Sequence, residues 1–163
     1  MLSLSMIILR NQSLGAPPQG WIKLNIDATM DERNGVVAVM ARNVNEIVSW
    51  IWSAHFPPSD AETLEFLALR EAVRTAVEKG VSPFVVETAT NPSSNWRASF
   101  IWESMPGQLA LLHDLIINWI PTSVNFVAHN VAKWCLKNCH FGYVELSLLP
   151  ESLFLDVSEW VLA

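Results

Sequence analysis

The chain has 163 residues, of which 51% are apolar, and a formal net charge of −6 at pH 7. This length suits one domain with one core, and the apolar content excludes a disordered chain. The negative charge argues against broad electrostatic attraction to nucleic acid, although it is compatible with a local basic strip. The only two cysteines, Cys135 and Cys139, imply no disulfide framework. This fits a reducing intracellular location, in the nucleus or the cytoplasm.

The first 19 residues are interpreted as an N-terminal segment and linker. Residues 1–10 are apolar but too few to span a membrane, and they lack the basic start and the cleavage site of a signal peptide. They are expected to form an edge strand or to be the remnant of a preceding sequence. Gly15, Pro17 and Pro18 then mark a linker into the domain.

Residues 20–52 predict three consecutive β-strands. Apolar and polar side chains alternate between residues 22 and 27, a period typical of a strand with two different faces. Residues 35–41 are a continuous apolar run rich in valine, and residues 46–52 complete the set. Connections this short favour an antiparallel meander. Asp27 is expected where the first strand ends, as a turn residue or as a site residue.

A helix is predicted after a loop at residues 55–58. Ser59 and Glu62 have the spacing of a capping box, with Ser59 as the N-cap. Apolar residues then recur at helical spacing until Gly80, which ends the helix in a left-handed conformation. Glu65 lies one turn into this helix beside its apolar stripe, either as a solvated flank or as a site residue.

The second half of the chain predicts one strand followed by helices. Residues 81–87 form a strand that can complete a right-handed βαβ crossover. Three helices are expected at residues 90–103, 108–119 and 125–138. Asn125 is a candidate cap for the last of these, and residues 141–163 form a C-terminal arm with a short helix. The order βββ-α-β-ααα predicts a mixed-sheet α/β domain over residues 20–140.

Five strings stand in order between about Pro17 and Pro150: PPQGWIKLNIDAT, GVVAVMARNVNEIV, AETLEFLALREAV, FVVET and NFVAHNVAKW. Together with the closing GYVELSLLPESL, they resemble the type 1 ribonuclease H domain, especially the ribonuclease H-like domains of plant retroelement-derived proteins. The resemblance implies a five-stranded mixed sheet flanked by helices. It also implies an Mg²⁺-dependent endonuclease whose partner is an RNA–DNA hybrid and which cuts the RNA strand.

The resemblance also implies a set of catalytic residues. The chemistry needs about four acidic groups, which hold two hard cations on a phosphodiester. Asp27 matches the family's first-strand aspartate and Glu65 its helix glutamate, so both would bind Mg²⁺. The family's third acid ends a Glu-Ser-Asp or Glu-Thr-Asp string, and here that string ends in Ala89. The fourth acidic position falls at His129, where plant members often carry histidine.

The missing carboxylate at residue 89 predicts weak Mg²⁺ binding and impaired cleavage. The stretch from residue 112 to residue 125 is too short for a full helix and a full fifth strand, and Trp119-Ile120-Pro121-Thr122 stands where the family has a His-Val-Pro-Arg-like string. Glu87, Asp31 and Glu32 are candidates to compensate. None of the three has a motif reason to bind metal, and they are expected to be solvated charges.

Three functions remain open from the sequence. The domain is a metal-dependent ribonuclease H, a catalytically impaired nucleic-acid-binding domain of the same fold, or a structural or protein-interaction module that uses the fold as a scaffold. The negative charge and the eight tryptophans favour the module, whereas the resemblance favours the first two functions. Salt-dependent binding to an RNA–DNA hybrid separates them, because the module predicts none.

Overall fold

The computed structural model describes residues 7–10, 17, 19–81, 83–89 and 115–154. Within them, the strands are β1 (Ile7–Arg10), β2 (Ile22–Met30), β3 (Gly35–Arg42), β4 (Val48–Phe56), β5 (Phe84–Thr88), β6 (Leu115–Trp119) and β7 (Gly142–Tyr143). The α-helices are α1 (Ala61–Glu78) and α2 (Phe126–Asn138), and short 3₁₀ helices follow at Leu146–Leu148 and Glu151–Phe154. None of these described helices is long and apolar enough to cross a membrane.

The seven strands form one mixed sheet in the order β1-β6-β5-β2-β3-β4-β7. The predicted meander is confirmed, since β2, β3 and β4 pair antiparallel. Strand β5 joins β2 in parallel, and β6 joins β5 in parallel. The five central strands therefore make the expected mixed α/β sheet. Strand β1 extends it as a parallel edge strand beside β6, and β7 extends the opposite edge.

The two α-helices lie on opposite faces of this sheet, each over its own apolar core. The core under α1 includes Leu24, Ile26, Val37, Val39, Leu69, Ala72 and Val73. The core under α2 includes Val36, Ala38, Met40, Val127, Val131 and Cys135. Successive side chains of a strand point to opposite faces, so β3 must be apolar at every position to supply both cores.

Two strand boundaries differ from the prediction. Strand β2 continues beyond Asp27 to Met30, because its pairing with β3 runs as far as Met30 and Gly35. Asp27 therefore lies within the strand and not at its end. Strand β4 begins at Val48 instead of residue 46 and ends at Phe56 instead of residue 52, since it pairs with β3 as far as Gly35. The predicted loop at residues 55–58 is accordingly shorter.

Residues 115–119 form a strand where the sequence predicts the end of a helix. Their side chains are mostly buried, and the segment hydrogen-bonds to β5 on one side and to β1 on the other. A short apolar run cannot be assigned to helix or strand from its periodicity alone, and here pairing on both edges decided the outcome. The helix predicted at residues 90–103 and the start of the one at 108–119 lie outside the described residues, as do residues 155–163.

The start of α1 also differs from the prediction. Asp60 is the N-cap, since its Oδ1 accepts from the backbone N–H of Thr63 at 2.8 Å and its Oδ2 from the Thr63 hydroxyl at 2.7 Å. Ser59, the predicted cap, only donates its hydroxyl to Asp60. Serine and aspartate cap equally well, so the sequence left two adjacent candidates. The predicted helix end is confirmed, with Gly80 at φ +64°.

Replacing Asp60 with alanine is expected to lower the melting temperature by about 2–4 °C, through loss of the cap. The Thr63 hydrogen bonds lower the pKa of the Asp60 carboxyl, so the cap stabilises the fold above the carboxyl's ordinary pKa and is lost as pH falls through the lowered one. Thermal unfolding at pH 7 measures the effect. Ser59→Ala is the matched control and should leave the melting temperature unchanged. An equal loss in both variants would contradict the assignment.

Candidate active site

Asp27 and His129 form the shortest described contact between β2 and α2. Nδ1 of His129, in the first turn of α2, lies 2.7 Å from Oδ2 of Asp27. The Asp27 side chain is 11% exposed and that of His129 is 38% exposed. A carboxylate can only accept hydrogen bonds, so with Asp27 as a carboxylate the Nδ1–H of His129 donates the hydrogen bond. The contact therefore fixes the orientation of the His129 ring.

Asn125 holds the start of α2 against β2 and so places His129 over Asp27. Its amide Nδ2 donates to the backbone carbonyl of Ile26 at 2.8 Å, and its Oδ1 accepts from Nδ2 of Asn25 at 3.3 Å. Asn125 occupies the N-cap position as predicted, but its side chain makes no capping hydrogen bond. The prediction was wrong about its role because a buried link between α2 and β2 uses both ends of the amide.

Glu65 approaches the same end of β2 from the other helix layer. Its Oε1 accepts from the backbone N–H of Ala28 at 3.1 Å, and the Thr88 hydroxyl lies 3.4 Å from its Oε2. The side chain is half-buried, so Glu65 is not simply a solvated flank of α1. The Asp27 side chain thus contacts α2. Glu65 reaches from α1 to the backbone of Ala28, the next residue of β2.

Residue 89 stands next to this pair and carries no carboxylate. Strand β5 ends at Thr88, which contacts Glu65, and Ala89 follows directly. The backbone carbonyl of Ala89 accepts from Nε1 of Trp119 at 2.9 Å, which ties the end of β5 to the end of β6. Residue 89, where the resemblance expects a third acid, thus directly follows the residue that contacts Glu65, and its side chain is a methyl group.

Glu87 is buried, and the prediction of a solvated charge was wrong. It is 2% exposed, its Oε1 accepts from Nδ2 of Asn25 at 3.1 Å, and it lies 3.5 Å from Nζ of Lys23. Lys23 also pairs with Glu46 at 2.7 Å. Sequence reasoning missed these supporting residues, and the available signal was the run of polar side chains at alternate positions before Asp27. Glu87 is aligned with Asn25, one alternate position before Asp27, and does not replace the missing acid.

The other two acidic candidates lie in the loop between β2 and β3. Asp31 and Glu32 are both exposed, as expected. Oδ1 of Asp31 accepts from the backbone N–H groups of Arg33 and Asn34 at 2.8 and 2.7 Å. These hydrogen bonds lower the pKa of the Asp31 carboxyl. Asp31 therefore closes the turn between the two strands.

The donor set does not fit a pair of magnesium ions. Mg²⁺ requires a near-octahedral shell of oxygen ligands, and imidazole is a poorer partner for such a hard cation than a carboxylate. The site offers two carboxylates, Asp27 and Glu65, and the first of these is bonded to His129. Among the residues that the structure describes, no group of three or more His, Cys, Asp or Glu side chains could hold a metal ion.

No family model matches the sequence, and no curated protein matches it significantly. Solved structures do match. RNase H1 from the halophilic archaeon Halobacterium salinarum NRC-1 superposes with a TM-score of 0.62 at 12% identity, over 72% of this chain and 98% of that one. LC11-RNase H1 in complex with an RNA/DNA hybrid gives 0.58 at 13% identity, over 72% and 98%.

A third match is the N-terminal RNase H domain of a Mycobacterium tuberculosis protein, solved as a fusion protein with maltose binding protein. It gives a TM-score of 0.58 at 10% identity, over 71% of this chain and 98% of that one. Identities this low show a shared fold and nothing finer. The mixed sheet, its two flanking helices and these matches together show that this chain has a ribonuclease H-like fold.

Proposed function

We propose that this domain binds nucleic acid, in particular an RNA–DNA hybrid, at the end of the sheet where Asp27, Glu65 and His129 lie, and that it cleaves the RNA strand slowly or not at all. The observation that carries the proposal is the 2.7 Å contact between Asp27 and His129, beside a residue 89 that has no carboxylate. LC11-RNase H1, which shares the fold, has been crystallised with an RNA/DNA hybrid, and this supports the ligand class.

The impaired activity follows from the groups that the site lacks. Phosphodiester cleavage by two hard cations needs carboxylates that hold both ions about 3.5–4 Å apart. Here one oxygen of Asp27 is hydrogen-bonded to His129, and one oxygen of Glu65 accepts from the backbone of β2. Ala89 supplies no carboxylate. Weak Mg²⁺ binding at Asp27 and Glu65 is the most that this set supports. On the strings quoted above, we further propose a diverged copy of a plant retroelement-derived domain.

Binding to a fluorescent RNA–DNA hybrid should weaken as salt rises, because phosphate contacts release condensed counterions. Fluorescence anisotropy without divalent metal, over a series of KCl concentrations, measures the slope. The double variant Asp27→Asn/Glu65→Gln should bind the hybrid more tightly than the natural chain, since it removes two negative charges from the proposed contact face.

The matched control is Glu145→Gln/Glu151→Gln, which removes two exposed charges from the C-terminal arm. Both double variants change the net charge equally, so a difference between them reports on the position of the nucleic acid. Equal gains in the two variants would place the hybrid elsewhere on the surface. Absence of any binding at low salt would overturn the proposal.

A protein-interaction module is the second candidate, and one observation favours it. Four large apolar side chains of the C-terminal arm are exposed: Phe141, Tyr143, Leu146 and Leu148. Apolar side chains exposed close together in the sequence favour a contact surface for another protein. In that case the hybrid would not bind at any salt concentration.

A further inference from the structure

Three aromatic side chains meet where β4 pairs with β7. Trp50 and Trp52 lie at alternate positions of β4, and Tyr143 of β7 is the pairing partner of Trp52. The ring of Tyr143 lies 6.3 Å from that of Trp50 at an interplanar angle of 80°, and 4.7 Å from that of Trp52 at 66°. Tyr143 therefore meets both indole rings edge to face and not in a flat stack.

This aromatic cluster already contacts a cation from this chain. Lys79 is the C-cap residue of α1, and its Nζ lies 4.5 Å from the ring centre of Tyr143 and 5.3 Å from that of Trp50. Arg74 covers the third ring, with its guanidinium carbon 4.8 Å from the ring centre of Trp52. Distances below about 6 Å are those at which ring faces attract cations. These ring faces are therefore suited to positive charge.

Two further features make this place favourable for a cation. The C-terminal end of α1 projects backbone carbonyls, which carry the negative end of the helix dipole. Partial burial and, next, the charge of Glu78 raise the pKa of the Tyr143 hydroxyl, whereas the charge of Arg74 lowers it. Glu71 accepts from Nε1 of Trp52 at 2.8 Å and thereby fixes one wall of the site.

Lys79 is the cation that a ligand can displace from these rings. Its side chain is exposed and reaches the rings on a flexible four-carbon stem, and within the described residues no carboxylate forms an ion pair with it. Arg74, in contrast, is held by ion pairs with Glu71 and Glu78. The site lies at the end of α1 opposite to Glu65, so the proposed active site does not use it.

We propose that Trp50, Trp52 and Tyr143 form a binding site for a methylated ammonium cation, namely the trimethylated lysine side chain of a partner protein, and that Lys79 closes the site in its absence. The ammonium group of a lysine already lies over two of these rings, which favours a lysyl ligand. An unmethylated lysine ligand would make the same contacts as Lys79 and would therefore have no free-energy advantage over it. Methylation keeps the charge, and the apolar methyl groups lower the cost of leaving water beside aromatic faces.

Isothermal titration calorimetry with N-acetyl-trimethyl-lysine amide, its unmethylated counterpart and choline tests this proposal. Lys79→Ala should bind the trimethylated compound about two- to fivefold more tightly than the natural chain, since an exposed cation–π contact has roughly this effect on affinity. Lys133→Ala removes an exposed lysine of α2 and should change nothing. Tyr143→Ala should abolish binding in the Lys79→Ala background, and Tyr143→Phe should retain it.

Three results would overturn the proposal. The first is that Lys79→Ala binds the trimethylated and the unmethylated lysine equally. The second is that Tyr143→Ala leaves affinity unchanged although its circular dichroism shows a native fold. Tighter binding of choline than of trimethyl-lysine would overturn the assignment to a lysine side chain. Nucleic acid is absent from all these titrations, so their outcome is independent of the proposed function.

Discussion

Ala89→Asp is expected to raise both the Mg²⁺ affinity of this domain and its rate of hybrid cleavage, and the natural chain is expected to bind Mg²⁺ weakly and to cleave slowly or not at all. Asp27 and Glu65 supply two negative charges, enough to hold one hydrated ion loosely. Residue 89 directly follows Thr88, which contacts Glu65, and the alternation of β5 would turn a carboxylate there to the face of Glu87, which Asn25 and Asp27 share. A second ion needs this third carboxylate.

The gain should be partial. Strand β6 is only five residues long, and the Trp119 contact ties it to Ala89, so an aspartate there need not stand where a full-length strand would place it. Misplacement by about an ångström costs on the order of a hundredfold in rate. His129 adds to the shortfall because it keeps one oxygen of Asp27 engaged.

Cleavage of a labelled hybrid at matched Mg²⁺ concentration, together with Mg²⁺ titration by calorimetry, measures both effects. Ala89→Asn is the matched control, because it has the same shape as the aspartate without its charge and should give no gain. Adding Asp27→Asn to Ala89→Asp should remove the gain again. Fast cleavage by the natural chain, abolished by Asp27→Asn, would show that Ala89 does not disable the site.

Lys23→Met is expected to destabilise the fold by about 3–5 kcal/mol, the range for breaking a buried ion pair by removing one partner. Lys23 is 7% exposed and Glu87 is 2% exposed, so the loss takes a cation away from a carboxylate that water cannot reach. Glu46, the other partner of Lys23, is half-buried and can still be hydrated. Urea denaturation measures the free energy of unfolding.

The double variant Lys23→Met/Glu87→Leu is the informative control. Replacing both members of a buried pair with apolar side chains is often neutral, so the double variant should recover most of the loss. Lys133→Met, at an exposed position of α2, should change stability by less than about 0.5 kcal/mol. A loss below about 1 kcal/mol for Lys23→Met would mean that the charge of Glu87 is neutralised by other means.

The sequence by itself determined the meander of β2, β3 and β4, the strand β5 and the helix α1. Alternation before Asp27, an apolar run at β3 and short connections specify an antiparallel meander, because side-chain period and loop length are local properties. The helical spacing and Gly80 likewise specify α1 and its end. The resemblance brought Asp27, Glu65, Ala89 and His129 together as candidates. The structure shows how these residues lie, and their chemistry remains a proposal.

Tertiary structure decided everything that depends on partners distant in the chain. The run at residues 115–119 became a strand because β5 and β1 offer hydrogen bonds on both of its edges. Asn125 bonds to the carbonyl of Ile26 and not to its own helix, and Glu87 is buried because Lys23 and Asn25 stand beside it. Periodicity along a sequence reports which face of an element is apolar. It does not report which polar group of another element will meet it, and that meeting sets burial and hydrogen bonding.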